Sequence, residues 1–274
     1  MEIWILATIA ATVFQTLRFM LQKQLSMGAL STAGATFARF AYSAPPLALV
    51  LMLWLALSGT QVPDITARFW MMGAIGGLAQ ILATVCVVAL FRTRNFAVGI
   101  TFKKTEVMLT ALIGLVILGE AVSPLGLVAI AVGFAGVILL SDPPKSENGP
   151  TGMRRFFNRA AGLGLLSGAL FGVSAVGYRA ASLSLQSDDV FLRASFTLAI
   201  VTASQTIGLS LWLKIREPGE VRRVLASWRV SSLVGVTSML GSLGWFTAFT
   251  LQTAAYVKAL GQIELVFSFL ATWL

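Results

Sequence analysis

Runs of about 20 apolar residues constrain a chain more than any motif, because a helix of that length matches the hydrocarbon core of a bilayer. Nine such runs occur here, near 3–20, 32–58, 69–91, 97–118, 124–141, 161–183, 190–213, 230–251 and 255–274. Punctuation supports the breaks between them. Gly59, Pro63 and Asp64 end the second run, and Ser123–Pro124 supplies a cap and first-turn proline for the fifth. Charged residues make up 11% of the chain and hydrophobic ones 57%, at a mean hydropathy of +0.85. A soluble domain carries about 25% charged residues. The expectation is an all-α polytopic membrane protein.

The net charge of +9 does not point to nucleic acid, because the basic residues sit mostly in short loops between apolar runs. The single cysteine, Cys86, lies inside an apolar run, so no disulfide framework can form. There is no histidine. A zinc site or a Ser/Cys–His nucleophile therefore lacks its parts, and neither a cofactor nor a metal is expected. The first run lacks a basic flank and an A-x-A site, so it reads as a retained helix.

DPPKSENGPTG (142–152) is the one clear linker and falls near the middle of the chain. The division it suggests is a five-helix repeat over 1–141, a basic linker over 142–160 and a second repeat over 161–274. A shift of 158 residues places Phe91 on Phe249, Ala97 on Ala255 and Glu106 on Glu264. The same shift places Gln80 on Ser238 and Thr84 on Ser242; shifts of 161 and 154 place Arg18 on Arg179 and Arg39 on Arg193. Five helices are an odd number, so a second copy must enter the membrane inverted, an arrangement common in secondary transporters. The partner of the fifth helix is missing at Leu274. Ten helices are expected in the intact protein, with about nine in this sequence.

TEVMLTALIGLVILGEAVSPLGLVAIAVGFAGVILL (105–140) resembles the EamA repeat of the drug/metabolite transporter superfamily. The matching features are Glu106 opening the fourth helix, Gly119–Glu120, Ser123–Pro124, and Gly133 with Gly136 in the last helix. LGQIELVFSFLATWL (260–274) looks like the start of a second copy. Two departures stand out. Val107 and Leu265 occupy the place where the family often has proline after the glutamate. The family usually begins in the cytoplasm, whereas loop charge says otherwise. Lys23, Arg92, Arg94, Lys145, Arg154, Arg155, Arg159, Lys214, Arg216, Arg222, Arg223 and Arg229 lie on the linker side, and only Arg68 lies opposite. By the positive-inside rule the linker is cytoplasmic and the N-terminus outside. The resemblance implies a bacterial inner-membrane permease, often an exporter, that works by alternating access.

Seven basic residues are not in loops: Arg18, Arg39, Lys103, Lys104, Arg179, Arg193 and Lys258. A charge at the bilayer centre costs about 2.5–3.5 kcal/mol on the insertion scale, so each needs a reason. The arginines either snorkel to the headgroups, or form pairs (Arg18 with Arg39, Arg179 with Arg193) that gate a path and attract an anion. Gln15, Arg18 and Gln22 share a helix face, as do Asp189 and Arg193. Lys103, Glu106 and Thr110 also share a face. They lie about 10–15 Å along the fourth helix at a rise of 1.5 Å per residue. The matching face of the second half is Gly261, Glu264 and Ser268. One reading is a structural Lys103–Glu106 pair that neutralises itself. The other is a wet midplane cavity that Glu106 and Glu264 face, with Lys103 or Lys104 neutralising a substrate anion or holding Glu106 ionised.

Gln262, Gln80, Ser238 and Trp245 complete the candidate cavity, although lipid contact is the default for Trp245, Phe246 and Phe249. Lys258 reads as interfacial, and FRTRNF (91–96) as a basic surface hairpin. Gly73-x-x-x-Gly77 and Gly164-x-x-x-Gly168-x-x-x-Gly172 suit close helix packing. The expected function is a carrier for a small polar or amphipathic metabolite, anionic or zwitterionic such as an amino acid. A proton is the candidate coupling ion, and the protein is expected as a monomer or homodimer in the bilayer. Two alternatives stay open: a membrane enzyme acting on lipid or isoprenoid phosphates, and a passive channel. The enzyme would need an acidic cluster, and adjacent acids occur only at Asp188–Asp189.

Overall fold

The computed structural model describes residues 2–28, 30–93, 96–140 and 158–267. The linker over 142–157, Arg94 and Ser268 lie outside them. Among the described residues the chain is mostly helical, with no strand. In chain order the helices are α1 (Ile3–Met27), α2 (Thr32–Ala41), α3 (Ala44–Ser58), α4 (Ala67–Leu90), α5 (Phe96–Lys103) and α6 (Glu106–Leu118). They continue with α7 (Pro124–Leu140), α8 (Arg159–Leu183), α9 (Val190–Arg216), α10 (Glu220–Ala226), α11 (Trp228–Leu251) and α12 (Ala254–Leu260). A 3-10 turn over Gly261–Ile263 follows. Among the described residues, six segments are long and apolar enough to cross a membrane: α1, Thr32–Ser58, α4, α8, α9 and α11.

The surface supports the same reading. Leu57, Val116 and Leu125 are each at least 80% exposed, while Thr8, Thr12, Arg18, Gln22, Arg39, Lys103, Lys104 and Glu106 are buried. A water-soluble protein does not turn large aliphatic side chains outward and polar ones inward on this scale. The chain is an all-α, multi-pass membrane protein.

Three of the expected continuous helices are broken. The run over 32–58 divides at Tyr42–Ser43, because Pro45 and Pro46 lack the N–H groups that would bond to the preceding turn. Both prolines sit in the first turn of α3, where that loss is harmless. The run over 97–118 divides at Lys104–Thr105. Thr105 bonds back to Phe102 O through its N–H at 3.2 Å and through Oγ1 at 2.7 Å, a tight turn in place of the α-helical ladder. The break leaves Lys103 in the last turn of α5 and Glu106 in the first turn of α6, each matched to the sign of its helix dipole. The run from 255 breaks at the 3-10 turn. Lys258 lies in the last turn of α12, and Glu264 follows the break.

Helices of the first and second halves pack mainly across one another. Helix α1 lies along α11, and α8 lies along α4. The broken helices follow suit: α5 and α6 pack on α8, α12 and the 3-10 turn pack on α1, and α12 meets α6. Glycines permit the closest of these crossings. A Cβ on Gly168 would stand 2.8 Å from Lys103 O, and one on Gly177 3.0 Å from Met72 O. On the other pair, a Cβ on Gly244 would stand 2.6 Å from Ala7 O.

One end of the bundle is tied by side-chain hydrogen bonds and an ion pair. Arg92 is not a simple surface residue: its Nε donates to Ser26 O at 2.9 Å and its Nη2 to Leu30 O at 2.8 Å. Those bonds close the turn between α1 and α2 and satisfy carbonyls at a helix end. Helix α10 was not foreseen in the sequence. Its Glu220 is fully buried, accepts from Ser31 N at 2.6 Å and pairs with Arg223 at 2.5 Å. Gly34 makes room for that carboxylate, since a Cβ there would overlap Glu220 Oε1.

Candidate functional site

The two interrupted helices bring their charges together inside the bundle. Lys258 Nζ lies 2.5 Å from Glu106 Oε1, and Lys103 Nζ lies 3.9 Å from Glu106 Oε2. Lys104 Nζ lies 3.8 Å from Glu264 Oε2, which also accepts a hydrogen bond from Gln15 Nε2 at 2.8 Å. The pairing is therefore crossed. A lysine of α12 serves the glutamate of α6, and a lysine from the α5–α6 break serves the glutamate beyond α12.

Aromatic rings wall this cluster. Lys258 Nζ stands 4.5 Å from the Trp245 ring centre and 5.5 Å from that of Phe249. Lys103 Nζ stands 5.4 Å from Phe19 and 5.3 Å from Phe171. Such ring faces offset part of the cost of taking an ammonium out of water. Trp245 stacks on Phe249 and donates from Nε1 to Gln15 Oε1 at 3.1 Å, so α1 is bound to both α11 and Glu264. Trp245, Phe246 and Phe249 are all buried, which overturns the expectation of lipid contact.

Lys258 also departs from the place its sequence position suggests. It is not interfacial; its side chain is 12% exposed and makes the shortest ion pair of the cluster. The repeat hid it, because a shift of 158 residues places Lys258 on Ile100. Gln15 was noted only as a neighbour of Arg18 on the helix face. Its interest would have followed from its position, since an amide in an apolar run needs a partner.

The remaining candidates occupy other places. Gln262 lies in the 3-10 turn and, with Lys104, Val107, Ile130, Gly133 and Ala259, lines a small cavity of about 70 Å³. The wide hollow expected between Glu106 and Glu264 is filled in this conformation by the lysines and rings between them. Gln80 belongs to a separate buried group. It accepts from Tyr178 Oη at 2.8 Å and from Gln205 Nε2 at 3.0 Å. Neither Tyr178 nor Gln205 stood out in the sequence, because Tyr178 stands beside the more conspicuous Arg179 and Gln205 lies within the polar stretch Ser204–Thr206.

The arginines do not reach headgroups in the way snorkelling requires. Arg18 is 2% exposed and donates from Nη1 to Gln22 Oε1 at 2.8 Å, with Gln22 Nε2 bonded in turn to Ala35 O. Arg39 is 4% exposed and donates to Ser238 Oγ at 3.0 Å and Thr84 Oγ1 at 2.9 Å. Arg179 pairs with Glu120 at 2.7 Å and also donates to Phe249 O and Gln252 O. Arg193 is partly buried and donates to Ser182 O at 3.1 Å. Asp189, in contrast, caps α9 through Leu192 N and accepts from Trp54 Nε1, an ordinary structural role.

No protein-family model matches the sequence, and no curated protein matches it either. Its backbone is similar to that of a solved crystal structure, described only as that of a protein, with a TM-score of 0.67 and 16% identity. The match covers 97% of this chain and 86% of the other. At that identity the similarity concerns the fold alone.

Proposed function

We propose that the chain is a secondary carrier of the drug/metabolite transporter type, built from two inverted repeats, moving a small anionic or zwitterionic metabolite by alternating access. The observation that carries this reading is the pair of interrupted helices. Each has a lysine in its last turn before the break and a glutamate just after it, and each glutamate is paired across the bundle. Broken membrane helices with buried charges at the break are the recurring substrate and ion sites of secondary transporters. The reciprocal packing of α1 on α11 and α8 on α4 supports the repeat, since a twofold exchange of the halves maps one contact onto the other.

The conformation is an occluded one under this reading. At one end Arg179 joins Glu120 to the α11–α12 turn; at the other Arg92 and Glu220 close around α2. The basic linker side is cytoplasmic, by the loop charges, and the bacterial inner membrane is the natural setting. The ion pairs must exchange partners for the halves to rock, and a substrate carboxylate or amine is a suitable replacement partner. A proton is the candidate coupling ion, and it would be taken up where the ion pairs part as the halves rock.

Transport into proteoliposomes tests the reading. Glu106→Gln and Lys103→Ala should each abolish counterflow while leaving membrane insertion intact. Normal counterflow by both variants would reduce the cluster to a structural ion-pair network, and an absence of counterflow by the wild type across a panel of anionic and zwitterionic metabolites would end the carrier interpretation.

A further inference from the structure

The interior of the bundle carries more positive charge than its own acids neutralise. Among the described residues, Arg18, Arg39, Lys103, Lys104 and Lys258 are set against two carboxylates in this region, Glu106 and Glu264. The three lysines share the two glutamates. Among the described residues no carboxylate pairs with Arg18 or Arg39. Their hydrogen-bond partners are an amide and two hydroxyls, all neutral. A guanidinium keeps its charge at any ordinary pH. Burying one without a counter-charge is among the most costly things a membrane protein can do, and it is characteristic of a functional site.

Arg39 is also the better placed of the two for a ligand. Its neighbours around a narrow space between α2, α4, α9 and α11 include Gln80, Thr202, Ser238 and Ser242. This ring offers one planar cationic fork and several neutral hydroxyl or amide donors, with no acid. Such a set recognises a compact oxyanion and rejects a cation. Arg18 reinforces it: Gln22, which holds the Arg18 guanidinium, bonds to Ala35 O one turn before Arg39 on α2. Here the space is too narrow to admit a water molecule. The hydroxyls of Ser238 and Thr84 occupy the guanidinium, on α11 and α4 respectively. Separation of these helices, as alternating access requires, would expose it.

We propose that Arg39, with Gln80, Ser238 and Ser242, is a carboxylate-binding station distinct from the lysine–glutamate cluster, and that the transported solute bears a carboxylate. This rests on the carrier reading for its purpose, but its binding chemistry does not depend on transport. The station takes the carboxylate as a free solute, because Arg39 is buried inside the bundle rather than on its surface.

The test uses the purified chain in phosphatidylcholine nanodiscs, with acetate as the probe and chloride at matched ionic strength as the reference. Acetate should raise the melting temperature saturably above the chloride value. Arg39→Gln should abolish that rise, Arg39→Lys should weaken the apparent affinity at least tenfold, and Ser242→Val should weaken it by narrowing the space. Arg229→Gln, which removes an exposed cation, should leave it intact. Equal responses to acetate from wild type and Arg39→Gln would overturn the assignment. If Arg39→Gln does not fold, an unchanged affinity in Arg39→Lys and Ser242→Val overturns it. Stabilisation that requires phosphatidylglycerol, with none from acetate in neutral nanodiscs, also overturns it. Arg39-dependent binding by a protein that moves no solute would sink the carrier reading alone, and counterflow with a silent Arg39 would sink this inference alone.

Discussion

Lys258 Nζ lies 2.5 Å from Glu106 Oε1, joining the second interrupted helix to the first. The contact lies between halves of the chain. It makes the pairing of Glu106 depend on where α12 stands, and so couples the ion-pair network to the relative position of the halves.

Removing that lysine should leave Glu106 with Lys103 alone, at 3.9 Å. Breaking a buried pair costs about 3–5 kcal/mol, because the surviving charge stays buried. Lys258→Met is expected to lower the melting temperature in detergent and to abolish counterflow. The exchange Lys258→Glu with Glu106→Lys should recover part of the stability lost by either single change. If the double variant is no more stable than the singles, the contact is not an energetic pair.

Close packing of α8 on the α5–α6 break should be intolerant of a methyl group. A Cβ on Gly168 would meet the backbone oxygen of Lys103 at 2.8 Å, which no rotamer change relieves. Gly168→Ala should cost about 1–3 kcal/mol by overpacking. Gly133 has nothing within 4 Å of its Cβ position, so Gly133→Ala should match or slightly exceed wild type. Thermal melting of the two variants side by side decides the point.

The docking of α10 depends on Glu220. Its carboxylate accepts from Ser31 N and pairs with Arg223 while fully buried. Glu220→Ala leaves the Ser31 N–H unpaired, a loss of about 1–3 kcal/mol. Hydrogen exchange should speed up at the start of α2 and over α10, and remain unchanged in α4 and α8. Uniform acceleration across the protein would mean that Glu220 supports the whole fold rather than this one contact.

At the opposite end, Arg179 holds Glu120, Phe249 O and Gln252 O together. Replacing Glu120 by Gln removes the counter-charge but leaves a hydrogen-bond acceptor. In a Cys86→Ser background, which is free of other thiols, a cysteine at Gln252 should react faster with a membrane-impermeant thiol reagent when Glu120 is Gln. Equal rates with and without the Glu120 change would show that this ion pair does not hold the end closed.

Much of the helical frame was legible because it follows from periodicity-free apolar length, a one-dimensional property. The start of α7 was read to the residue from Ser123–Pro124, and the apolar run from 190 coincides with the start of α9, whose Asp189 cap only the structure shows. The break at Pro45–Pro46 was legible in principle, since proline acts through the local backbone. The break at Lys104–Thr105 was not, because it has neither glycine nor proline; a threonine side chain competes there for the Phe102 carbonyl. Helix α10 is too short for an apolar-length criterion to find.

Sequence by itself determined that the chain is a multi-pass membrane protein and that Lys103, Lys104, Glu106 and Glu264 stand in apolar runs, because the cost of burying charge and backbone in lipid depends on local composition. Only the tertiary structure decided the partners. Glu106 met Lys258 rather than Lys103 alone, Glu264 met Gln15, Gln80 joined Tyr178 and Gln205, and Arg39 went without an acid. Those choices depend on how helices distant in sequence cross, and the crossing is set by glycine contacts and side-chain volumes on both partners, which no single segment contains.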